Sequence, residues 1–174
     1  MKQQKFWRLL ATATLLAAAF PAGANSLPPL SPPKGEVLLT VCGKIKVRNQ
    51  GDCAAFDLAE IRSVGPVTME TTTIWTDGIQ KFEGVPLRAL LERVGAEGQH
   101  VWAAAANDYG ADIPLVETEP EAPVIAYLLN GEVMSLRDKG PLWIVYPYDA
   151  DIRYRSDVAY SRSVWQLVSL NVTE

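Results

Sequence analysis

METTTIWTDGIQKFEGVPLRALL, residues 69–91, decides how this chain folds. Residues 67–73 are rich in β-branched threonine and valine and predict a strand. Asp77-Gly78 predicts a tight turn, and the segment after it a second strand. Pro86 then predicts the first turn of a helix, where a fixed φ is useful and a missing N–H costs nothing. Leu87, Leu90, Leu91 and Val94 share one face of that helix, and Gly95 predicts its end. This order sets a short polar segment, Thr71-Thr72-Thr73, on a rigid scaffold beside Trp75.

Upstream, Gly65-Pro66 closes a short helix that Asp57 caps, with Glu60 at capping-box spacing. Residues 36–47 read as a strand, and Arg48-Asn49-Gln50-Gly51-Asp52 as a turn into another extended segment. Cys42 and Cys53, the only cysteines, flank that turn. An oxidising compartment would pair them across the hairpin, and two free thiols are the other reading. Residues 27–35, LPPLSPPKG, predict an extended, poorly packed lead-in.

Downstream, residues 100–106 predict a strand of small side chains, Asn107-Asp108-Tyr109-Gly110 its turn, and residues 111–115 its continuation. Residues 124–129 and 132–135 flank Asn130-Gly131, a strong hairpin signal. Residues 141–146 predict a buried strand and residues 163–172 a last one. The expected fold is α+β, a single domain of mixed β-sheets with a few short helices.

Residues 1–24 carry the pattern of a secretory signal: Lys2, Lys5 and Arg8, an apolar run over 9–20, then Ala22-Gly23-Ala24. An uncleaved anchor is the alternative. The division expected is therefore signal 1–24, proline-rich lead-in 25–35 and folded domain 36–174, periplasmic or secreted, with no membrane span in the mature chain. Removing the three basic residues of the signal takes the formal charge from −4 to −7. An acidic surface argues against nucleic acid as a partner.

Four further motifs follow in order: NDYGADIPL (107–115), PVIAYLLNGEVMS (123–135), LRDKGPLWIVYP (136–147) and SVWQLVSLNV (163–172). With the opening stretch, they resemble the oxidoreductase molybdopterin-binding domain, the fold of sulfite oxidases and periplasmic methionine sulfoxide reductases. The resemblance runs over residues 37–172 and is greatest to short, exported, stand-alone members. It implies a molybdopterin cofactor. In the family, the strand before W-x-G-V-P-L carries the cysteine that ligates molybdenum, and the matching position here is Thr71. A threonine hydroxyl stays protonated and is a hard, weak donor where a soft thiolate is needed. The family's proline-leucine-arginine strand reads Pro141-Leu142-Trp143, and its lysine-tryptophan pair reads Val164-Trp165.

Arg137, Lys139, Arg153, Arg155 and Arg162 lie nearby in sequence and could rebuild an anion site. A solvated, charged loop is the competing reading. Asn107 and Tyr109 fall on the turn where the family's tyrosine borders the substrate pocket, and Trp75 lines a pocket or packs against the Pro86 helix. The cofactor-binding set expected from the resemblance is thus Thr71, Trp75, Asn107, Tyr109, Arg137, Lys139 and Arg155. His100, the only histidine, predicts a structural or exposed role, and Asp149 and Asp151 a loop salt-bridged to Arg153 and Arg155.

Three functions compete. One is a binding module for a small-molecule or anionic ligand, acting as an accessory to a membrane-bound sensor or redox partner. Another is a molybdopterin-dependent oxidoreductase with an altered metal shell. The third is an interaction protein using Trp143, Tyr146, Tyr148 and Tyr154 as a docking face.

Overall fold

The computed structural model describes residues 27–174. The signal segment expected at 1–24 lies outside the described residues. Two five-stranded sheets and three short helices make up the fold.

In the first sheet, β1 (Leu39–Gly43) pairs antiparallel with β2 (Ala54–Phe56), Val41 opposite Ala54. The next step along each strand brings Cys42 to Cys53, and the two form a disulfide with Cα atoms 4.4 Å apart. Asp57 then caps α1 (Leu58–Ser63) as expected, accepting the Glu60 N–H at 2.9 Å. Its other oxygen accepts the Lys34 and Gly35 N–H groups, both at 2.8 Å. That grip corrects the expectation of a poorly packed lead-in. Leu30 is buried in the core, and Arg93 and Asn49 hold the carbonyls of Pro28, Pro29 and Ser31.

The second sheet begins with the hairpin of β3 (Val67–Thr73) and β4 (Thr76–Pro86). Its turn is Ile74-Trp75, not Asp77-Gly78. Thr73 stands opposite Thr76, their hydroxyls 2.7 Å apart, so the chain reverses three residues earlier than the Asp-Gly signal predicts. Gly78, at φ +70°, serves a bulge in β4 instead, where the register shifts between Thr71 and Thr73. The reason is tertiary: turning at 74–75 delivers the Trp75 ring to an aromatic cluster that outweighs the local turn preference.

β4 runs into α2 (Leu87–Arg93) at Pro86, and Leu87, Leu90 and Leu91 of that helix are buried. Each such leucine contributes about 1.5–3 kcal/mol through its removal from water. β5 (His100–Ala105) and β6 (Gly110–Pro114) pair antiparallel in the first sheet. β7 (Val124–Leu129) and β8 (Glu132–Val133) join the second, across the predicted Asn130-Gly131 turn with φ of 52° and 85°. β9 (Trp143–Val145) pairs with the first half of β7. A short helix not foreseen in the sequence, α3 (Asp157–Ser161), is capped by Ser156. Finally β10 (Leu167–Thr173) inserts between β1 and β5, parallel to the former, giving the order β2-β1-β10-β5-β6.

One apolar cluster joins the sheets, with Val41, Phe56 and Leu170 from the first and Phe82, Ile125 and Ile144 from the second. The aromatic docking face considered from sequence belongs to this core. Trp143, Tyr146, Tyr148 and Tyr154 are only 0, 5, 2 and 8% exposed, since their large apolar areas are worth more inside.

Candidate functional site

β3 lies at the edge of its sheet, and backbone geometry determines which of its groups face outward. Lys81, opposite Glu70, spends its N–H and C=O on Asn130, on the far side of β4. Glu70 therefore directs its own backbone groups away from β4, and by the period of two so does Thr72. The Thr72 N–H on this open edge is taken by a side chain: Asp149 Oδ2 accepts it at 2.6 Å.

Asp149 is the hub of the polar cluster. Its Oδ1 accepts from the Thr72 hydroxyl at 2.8 Å and from Arg155 Nη2 at 2.5 Å. Its backbone N–H donates to Thr71 Oγ1 at 3.2 Å. The Thr72 N–H and hydroxyl, followed by Arg155, hold the carboxyl below the usual range. Arg155 is fixed in turn by donating Nε to the Tyr148 carbonyl at 2.8 Å. Thr71 itself is 1% exposed, and its hydroxyl proton lies between Thr72 O at 3.2 Å and Asp149 Oδ2 at 3.4 Å.

Thr72, Asp149 and Arg155 line a cleft of about 350 Å³ with Thr73, Ile74, Tyr148 and Tyr160, while Thr71 is buried beside it. The Tyr148 phenol points inward to Ser163 Oγ at 2.6 Å, and burial pushes its pKa up to about 12. The cleft thus offers hydroxyls, one carboxylate and one guanidinium over an aromatic wall. It can hold a small polar ligand through hydrogen bonds. Arg155 and Asp149 are already mutually neutralised, so an incoming anion must compete for the guanidinium.

Trp75 stands behind that wall. Its ring meets Tyr148, Tyr160, Trp143 and Trp165 edge-on, at centroid distances of 6.2, 5.8, 5.7 and 5.6 Å. Lys139 Nζ lies over the Trp165, Trp143 and Trp75 rings at 4.5, 5.2 and 6.0 Å. Desolvation there lowers the lysine pKa.

The residues anticipated from sequence therefore divide. Thr71 and Arg155 meet through Asp149, and Trp75 and Lys139 meet in the aromatic cluster. Asn107 and Tyr109 lie elsewhere. Asn107 accepts the Tyr109 N–H at 3.2 Å within its own turn, and the Tyr109 hydroxyl donates to Ser161 O at 2.6 Å. Arg137 is exposed in the loop after β8. The expected ion pairs are present, Asp149 with Arg155 and Asp151 with Arg153, and His100 bonds Asp112 at 2.8 Å.

From sequence Asp149 reads as a carboxylate in a salt-bridged loop. Its role beside Thr71 and the presence of Thr72, Tyr148 and Tyr160 in the cleft were missed. No local pattern links residues 78 positions apart, although Ser156-Asp157 was a legible start for the helix that carries Tyr160.

A second cleft, about 310 Å³, lies between the Leu115–Glu117 and Ile152–Tyr154 turns and α3. Arg162–Glu117 and Arg153–Glu119 ion pairs flank it. Among the described residues no three His, Cys, Asp or Glu side chains gather as a metal site, and no helix is long and apolar enough to cross a membrane.

A family model described as the oxidoreductase molybdopterin binding domain matches residues 38–153. Among solved structures, the chain is similar to the sulfane dehydrogenase SoxCD from Paracoccus pantotrophus, with a TM-score of 0.58 at 14% identity. The aligned part covers 83% of this chain and 40% of that one, so the similarity is one of fold over less than half of the neighbour's length. No curated protein matches.

Proposed function

The chain belongs to the oxidoreductase molybdopterin-binding domain family, and from that premise we propose that it is an exported small-ligand-binding module, accessory to a membrane-bound sensor or redox partner. In this reading the position of the family's metal-binding cysteine is buried beside a hydrogen-bonded polar cleft that Thr72, Asp149 and Arg155 line.

The observation that carries the reading is the engagement of Thr71. Its hydroxyl is buried and committed to Asp149 and the Thr72 carbonyl. A molybdenum centre of the family's kind needs a protein thiolate, and the only two cysteines of the chain are joined as Cys42–Cys53. Trp143 and Val164, where the resemblance expects cations for the pterin phosphate, are fully buried and apolar. The residues present do not fit a thiolate-held molybdopterin. What they fit is a ligand recognised by Thr72, Asp149 and Arg155.

Export is supported by the basic-apolar-small pattern of residues 1–24 and by a disulfide in a small domain. The second reading, an oxidoreductase with an altered metal shell, is favoured by similarity to a protein named as a dehydrogenase.

The test uses protein purified from a molybdopterin-producing host. Molybdenum and released pterin are measured, and a panel of small anions and pterins is screened by thermal shift. The expected result is metal below stoichiometry and stabilisation by at least one compound that Arg155→Ala no longer binds. Stoichiometric molybdenum, or no response across the panel, would overturn the proposal.

A further inference from the structure

Three tryptophan rings converge on one cation in this fold. Trp75 meets Trp143 at 68° and Trp165 at 74°, so the rings stand as walls and not as a stack. Lys139 Nζ sits 4.5 to 6.0 Å from all three centroids. The negative face of each indole attracts a cation at such distances, most strongly where water is excluded.

The walls are built before any ligand arrives. Trp143 is fully buried and donates Nε1 to the Ser163 carbonyl at 3.2 Å. Trp165 is bridged to Trp143 through the backbone. The Lys139 backbone is pinned separately, its carbonyl accepting the Gln166 N–H at 3.0 Å. The ammonium can therefore leave by side-chain rotation alone while the loop stays in place.

Lys139 is half-exposed, so its ammonium keeps part of its hydration, and the indole faces offer its three N–H groups no acceptor of ordinary strength. The acid acting on it is Asp138, next in sequence, whose carboxylate is engaged by the Ser135 hydroxyl at 2.6 Å. A cation without N–H groups loses less on entering the same cage, because it brings no donors to satisfy.

We propose that Trp75, Trp143 and Trp165 form a binding cage for a quaternary ammonium compound, and that Lys139 is a resident occupant which this ligand displaces. The site is separate from the Asp149 cleft, so either assignment can fail without the other.

The experiment follows tryptophan fluorescence while tetramethylammonium or choline is titrated into wild type and Lys139→Ser. Opening the cage should tighten binding about tenfold or more. Trp165→Leu in the Lys139→Ser background should abolish it, and the uncharged choline analogue 3,3-dimethyl-1-butanol should bind at least about tenfold more weakly. A folded Lys139→Ser protein, judged by near-ultraviolet circular dichroism, that gives no saturable response overturns the proposal. So does equal binding of the uncharged analogue. If Lys139→Ser does not fold, wild type supplies the answer through acylation of Lys139 by an N-hydroxysuccinimide ester, read by peptide mass. Choline should raise that rate severalfold, and an unchanged rate overturns the proposal.

Discussion

Thr71 and Asp149, 78 positions apart, hold each other twice: the Asp149 N–H donates to Thr71 Oγ1 at 3.2 Å, and Asp149 Oδ2 lies 3.4 Å from the same hydroxyl. The strand edge and the loop after β9 are joined at this point. Thr71→Val keeps the shape but leaves the Asp149 N–H without its acceptor. The expected cost is about 1–2 kcal/mol, with Thr71→Ser costing less. Urea denaturation of the three proteins measures it, and an equal midpoint for wild type and Thr71→Val would show that the hydroxyl contributes nothing.

Acid should destabilise the protein through two named carboxylates. The N–H groups of Glu60 and Gly35 hold Asp57 below the usual range, and the Thr72 N–H does the same for Asp149. A carboxyl whose pKa is lower in the folded state contributes stability above its unfolded value, about pH 4, and that contribution fades as pH falls through the folded value. Stability should therefore drop below about pH 4 in wild type, and drop less steeply in Asp57→Asn and Asp149→Asn. Urea midpoints from about pH 5 to pH 2 test the slopes. Parallel curves for all three proteins would contradict the assignment.

Asp57→Ala at neutral pH probes the cap directly. It removes the acceptor for Glu60 in the first turn of α1 and releases Lys34 and Gly35. The loss should be about 1–2 kcal/mol, accompanied by faster proteolysis of the lead-in. Limited proteolysis with mass readout separates this from a general weakening, which would expose β-strand sites as well.

Tyr148→Phe tests the inner wall of the cleft. Ser163 Oγ gives its one proton to the Ala159 carbonyl at 2.7 Å, so the 2.6 Å contact with Tyr148 has the phenol as donor. Removing that donor should cost about 1 kcal/mol without displacing the ring. An unchanged thermal midpoint would show the bond to be dispensable.

Replacing Cys42 and Cys53 by serine together should lower stability by about 2–3 kcal/mol, the chain-entropy value for so short a loop. Because β1 and β2 also pair through Val41 and Ala54, the variant should keep its fold. Circular dichroism after reduction gives the comparison, and loss of all structure would make the bridge a requirement for folding.

Most of the fold was legible because its signals are local. Asp57 with Glu60, Pro86 with Leu87, Leu90 and Leu91, and Asn130-Gly131 each act within a few residues, and each lies where its chemistry predicts. The Asp77-Gly78 signal failed for the opposite reason. A turn preference worth little was overridden by the burial of Trp75 among four aromatic rings, a contact set that no local window contains. The site is legible in part: the sequence points to Thr71, Trp75, Lys139 and Arg155 as binding residues. Thr72 and Tyr148 stand out there only as a polar segment and a docking aromatic, and Tyr160 does not stand out at all.

By itself, then, the sequence determined the family and the alternation of strands and helices, while the pairing of Cys42 with Cys53 was left for the structure to decide. Family and alternation both depend on residue identity and short-range spacing. Only the tertiary structure decided what surrounds Thr71. Asp149 reaches it from a distant loop because the outward N–H of an edge strand needs an acceptor, and Arg155 fixes the carboxylate that supplies one. It likewise set Lys139 among three tryptophans that are far apart along the chain, because packing their rings together removes apolar surface from water.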